Sequence, residues 1–82
     1  MSRIYLELDV SKVNKLVAIC ESMDCDINVL CGRVCVDGKS VMGVAQFCGR
    51  VVTLAPVTDD DYIYETFYKK VKDIGAYKGG EF

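Results

Sequence analysis

The hydrophobic residues of this chain switch repeatedly between a period of two and a period near 3.6, and that switching constrains the fold more than any single motif. Ile4, Leu6 and Leu8 fall on one face of an extended segment and Arg3, Tyr5 and Glu7 on the other, the pattern of a half-buried strand. Beyond Asp9 the period changes. Val13, Leu16, Val17, Cys20 and Met23 recur at steps of three and four, which predicts an amphipathic helix with Asp9 or Ser11 as its N-cap. Alternation returns in Ile27, Val29 and Cys31; Gly32 and Arg33 supply a tight turn, and Val34 to Val36 come back as the partner strand of a hairpin. Ser40 then precedes Val41, Met42, Val44, Ala45 and Phe47, a short capped helix that ends near Gly49.

Val51 to Leu54 form a β-branched run that Pro56 closes, the fourth strand. Thr58 followed by Asp61 reads as a capping-box start, with Asp59 and Asp60 at the positive end of the helix dipole. The last helix buries Ile63, Phe67, Val71 and Ile74, places Lys69, Lys70 and Lys72 at its negative end, and stops at Gly75. Residues 76–82 are expected to fray as a C-terminal tail. The order β-α-β-β-α-β-α predicts an α+β fold: an open-faced β-sandwich whose four-stranded antiparallel sheet is covered on one face by three helices, in a single domain of residues 1–75.

A chain of 82 residues suits one small domain that buries about 60% of its unfolded surface. Its formal charge of −2 and the lack of any Lys/Arg stripe speak against nucleic acid as a partner, because phosphate neutralisation needs clustered cations. Apolar runs of a few residues fall far short of the ~20 that cross a bilayer, so no membrane insertion is expected, and without signal-peptide blocks the expected location is cytoplasmic. Cys20, Cys25, Cys31, Cys35 and Cys48 are an odd set in such a setting and are expected to be reduced, small apolar residues. Their spacings lack paired zinc knuckles, so neither metal nor cofactor is expected. A thiol or metal role would require Cys31 and Cys35 to meet across the hairpin.

The element order, with Asp26-Ile27-Asn28-Val29 before the hairpin and Gly38-Lys39-Ser40-Val41-Met42-Gly43-Val44 on the second helix, resembles the histidine-containing phosphocarrier protein family, HPr, of the bacterial phosphoenolpyruvate-dependent sugar phosphotransferase system. The likeness covers nearly the whole chain, and its most specific part is the run around Ser40, similar to the regulatory-serine helix of HPr from Gram-positive bacteria. In that family the active histidine caps the first helix, followed by an arginine and a proline. A gapless match places Asp9, Ser11 and Lys12 at those three positions, and the chain contains no histidine.

The resemblance therefore implies a family fold without its relay chemistry, since imidazole accepts and passes on a phosphoryl group while a guanidinium holds its charge. It also implies a regulatory phosphorylation candidate, Ser40, and a partner-binding patch of Val41, Met42 and Ala45. The expected function is a non-enzymatic regulatory or protein-binding module, with HPr kinase, enzyme I or a transcriptional regulator as partners. The alternative is a phosphocarrier that uses Asp9 as an acyl-phosphate acceptor, with helix N–H groups and Lys12 to bind the oxygens.

Overall fold

The computed structural model describes residues 2–81, and side-chain environments within residues 3–79. Eight elements follow in order: β1 (Ser2–Glu7), α1 (Val10–Glu21), β2 (Ile27–Cys31), β3 (Val34–Asp37), α2 (Val41–Ala45), β4 (Val51–Pro56), α3 (Asp61–Lys72) and β5 (Tyr77–Glu81). The strands form one antiparallel sheet in the order β3-β2-β4-β1-β5. Ile4, Leu6, Ile27, Val29, Val52 and Leu54 point to one face and pack with Leu16, Val17, Val44, Phe67 and Val71 of the three helices. Their strand neighbours Arg3, Glu7 and Val51 are exposed on the other face, as the two-residue period requires.

The sheet has five strands where the sequence predicts four. Residues expected to fray instead pair with β1, Tyr77 opposite Tyr5 and Gly79 opposite Arg3; Phe82 lies outside the described residues. The short segment Tyr-Lys-Gly-Gly-Glu carries two glycines, which weaken a strand signal, and is ordered by tertiary contacts. Tyr77 packs on Tyr5 with ring centroids 5.8 Å apart. On the opposite face Lys78 donates to Glu65 Oε1 at 2.7 Å and lies 4.6 Å from the Tyr68 ring centroid. Neither partner is near in sequence.

The helix ends differ from expectation in two places: α2 stops at Ala45, with residues 46–49 in a turn, and α3 starts later than expected. Asp9 caps α1, accepting Lys12 N–H, and Ser40 caps α2, accepting Gly43 N–H. The cap of α3 is Asp60, which accepts Tyr62 N–H at 2.8 Å, while Thr58 accepts Asp60 N–H and so caps the approach to the helix. The buried stripe also differs from expectation: Tyr64 joins Phe67 and Val71 inside, and Ile63 and Ile74 are only partly covered. The helix closes as a Schellman motif, Ala76 N–H to Val71 O and Gly75 N–H to Lys72 O, with Gly75 at φ 101°.

Gly38 sets the path from β3 into α2. Its amide donates to Ile27 O at 2.8 Å, and a Cβ there would lie 2.8 Å from Cys20 Sγ and 3.0 Å from Ile27 O. Replacement Gly38→Ala is expected to destabilise the protein by about 1–3 kcal/mol through overpacking, measured by urea unfolding, and Cys20→Ala in the same chain to recover part of that loss.

Candidate functional site

The start of α1 meets the turn that follows α2, and the start of α2 lies toward the other end of α1, where Lys39 Nζ reaches Met23 O. The residue before the α1 cap is tied to the turn after α2: Leu8 N–H donates to Arg50 O at 2.9 Å and Gly49 N–H donates to Leu8 O at 2.8 Å. Gly49 makes that turn at φ 86°, a conformation that favours glycine. The sequence pattern places Asp9 and the α2 region on separate elements, and this pair of bonds joins them.

At the first start, Asp9 is exposed and extended in backbone, and its Oδ1 accepts Ser11 Oγ–H at 2.6 Å and Lys12 N–H at 3.1 Å. The Ser11 hydroxyl, aided by the amide and charge of Lys12, holds the Asp9 carboxyl below its ordinary 3.8 against the opposing desolvation. Lys12 Nζ donates to Glu7 O at 3.2 Å and stands beside Gly75. The guanidinium of Arg50 reaches Cys31 Sγ at 3.9 Å, so the arginine whose backbone borders Leu8 is turned to the hairpin. Chemically this is an ionised carboxylate at a helix start, bonded to a hydroxyl and an amide.

At the second start, Ser40 is exposed and its Oγ accepts Gly43 N–H at 3.2 Å, while its own amide donates to Asp37 O. Asp37 Oδ1 accepts Lys39 N–H at 2.9 Å, and Lys39 Nζ donates to Met23 O at 3.5 Å, so the residues flanking Ser40 are held. Gly43 permits α2 to sit on β3, since a Cβ there would meet Val36 Cβ at 3.2 Å. This segment divides cleanly: Val44 of α2 and Phe47 of the turn after it are buried, whereas Val41, Met42 and Ala45 are exposed, Met42 at 87%.

Val10 is an exposed apolar residue that the sequence pattern hides. It stands three residues before buried Val13, so periodicity counts it with the core, yet it is 79% exposed in the first turn of α1 directly after Asp9. Its signal was its place beside the cap. A groove of about 200 Å³ between the end of α1 and α3, with Met23, Asp24, Tyr62 and Lys70 on its walls, lies at the far end of α1, roughly 18 Å along a 12-residue helix.

Cys31 and Cys35 do not meet. Cys31 is opposite Val34 and Cys35 opposite Leu30, so parity sends the two thiols to opposite faces of the hairpin. Cys20 is buried, and desolvation pushes its thiol up to about 12.

No protein-family model matches the sequence, and no curated protein matches it. Among solved structures the chain is similar to HPr-C-His from Thermoanaerobacter tengcongensis, with a TM-score of 0.69, 23% identity, and coverage of 90% of each chain. The fold is HPr-like. Within that fold the first-helix cap is Asp9, and no histidine stands anywhere in the sequence.

Removing the Ser11 hydroxyl in Ser11→Ala is expected to raise the Asp9 pKa toward its ordinary value, read by NMR titration of the side-chain carboxyl. Because the folded pKa is depressed, the cap's stabilisation is present above pH 3.8 and is lost as pH falls through the folded value. The stability difference between wild type and Asp9→Asn should accordingly shrink below pH 3.8.

Proposed function

We propose that this protein is a non-enzymatic regulatory module of the sugar phosphotransferase type, which binds other proteins through the Ser40 helix and has lost the phosphohistidine relay. The observation that carries the reading is the contrast between the two capped helices. Asp9 occupies the start of α1 with its carboxylate bonded to Ser11 and Lys12, and the guanidinium of Arg50 is turned away toward Cys31. Ser40 stands exposed beside an outward Val41, Met42 and Ala45.

Phosphate on Ser40 adds about −1.5 to −2 charges at a helix start, where dipole and free N–H groups favour anions, so modification leaves the fold intact. What changes is the surface. A partner that inserts an apolar side chain between Val41, Met42 and Ala45 then meets a dianion at the rim of its site. Met is suited to such a surface because its unbranched thioether adapts to different partners. The partner classes that fit are an HPr kinase as modifier, and enzyme I or a transcriptional regulator as reader, all in the cytoplasm.

Incubation with ATP and an HPr kinase should add one phosphate to Ser40, seen by mass spectrometry and abolished in Ser40→Ala. An unmodified chain beside a modified HPr control would reject the regulatory reading. A second reading has Asp9 accept a phosphoryl group as an acyl phosphate, and its support is an exposed, ionised carboxylate with a helix amide at hand. Phosphoenolpyruvate and enzyme I should then leave hydroxylamine-sensitive label that Asp9→Asn removes. Absence of label discards it.

A further inference from the structure

We propose that this chain self-associates through its free β3 edge, in a two-fold antiparallel strand pair centred on Cys35. β3 is a terminal strand of the sheet, so one side of its backbone has no strand partner. Which groups face outward follows from the ladder. Gly38 N–H donates inward to Ile27 O, and in an antiparallel pair the inward bonds fall on alternate residues. Val36 and Val34 thus bond toward β2, and Cys35 presents its N–H and C=O to the open side.

The sequence of this edge is complementary to itself. When Cys35 lies opposite Cys35 of a second copy, Val34 lies opposite Val36, and Arg33 of the hairpin turn comes to the end of the ladder where Asp37 of the other copy stands, each pair twice by symmetry. Asp37 shares the sheet face of Cys35 and is exposed, Arg33 stands exposed in the hairpin turn that leads into β3, and Val34, 48% exposed, shares the helix-side face with Val36. Asp37 engages Lys39 N–H through Oδ1, and among the described residues Oδ2 has no such bond. The charges thereby select the register, because sliding by two residues loses both ion pairs.

Edge strands are ordinarily blunted by lysine, proline or a bulge within the strand. Val34–Asp37 contains none of these, and its flanking charges have opposite signs, which a two-fold axis turns from repulsion into attraction. The other edge differs: β5 carries two glycines, and its Lys78 is already bonded to Glu65. The two-fold axis stands normal to the sheet, so both copies of the helix layer lie on the same side of one continuous ten-stranded sheet.

Sedimentation equilibrium of the full chain in reducing buffer, across a concentration series, should show mass rising toward twice that of the chain. Arg33→Asp should lower the association constant at least about tenfold, by replacing two attractions with two repulsions, and Arg33→Asp with Asp37→Arg should restore it. Circular dichroism verifies that each variant is folded. Diamide, which accepts two electrons and two protons from a pair of thiols, should join tryptic peptides Val34–Lys39 through a Cys35–Cys35 disulfide. A hydrogen-bonded antiparallel pair sets Cα atoms about 5.5 Å apart, within disulfide range. A monomer at every concentration, a dimer indifferent to Arg33→Asp, a folded double variant that stays monomeric, or no Cys35–Cys35 product would each overturn the proposal.

Discussion

The close approach at Gly38 governs the path of the chain from β3 into α2. With hydrogen in place of a side chain, the backbone lies against Cys20 Sγ and donates to Ile27 O, which ties the end of β3 to the start of β2 and to α1. Only from that point can Asp37 and Ser40 bend the chain into α2 with Gly43 seated on Val36. A side chain at position 38 would lift the helix start off the core, and with it the placement of Ser40 and Met42. The surface of α2 is thus held by a contact inside the protein.

Both helix starts use the same capping chemistry and arrive at different surfaces. At α1 the cap is an anion that takes its donors from its own first turn, so the site is electrostatically complete without a guanidinium. At α2 the cap is a neutral hydroxyl on a five-residue helix whose outward side is apolar. The backbone bonds between Leu8 and the Gly49–Arg50 turn tie the start of α1 to the end of α2, and Val10 adds an exposed apolar residue next to Asp9.

Much of the fold was legible because each buried face leaves a period. Ile4, Leu6 and Leu8, then Val13, Leu16, Val17 and Cys20, announce strand and helix, and Gly32 and Gly75 announce their turns with positive φ. The caps Asp9 and Ser40 were legible for the same local reason, as was the division of α2 and the turn after it into buried Val44 and Phe47 and outward Met42. β5 was not, because Tyr77–Glu81 acquires its order from Tyr5, Glu65 and Tyr68, which lie far away in the chain. Nor was the α3 cap, where several adjacent acidic residues compete and only Asp60 reaches a free amide.

The sequence by itself determined the order of the first seven elements, the buried faces of β1 and α1, the absence of histidine and the capped serine at position 40, because these depend on residue type and local spacing. Tertiary structure alone decided that the tail completes the sheet, that Val10 is outside, that Cys31 and Cys35 face apart, and that Arg50 points toward the hairpin. Those outcomes rest on strand register and long-range packing. A one-residue change of register reverses every side chain on a strand, and no local pattern fixes it across elements that meet only when the chain has folded.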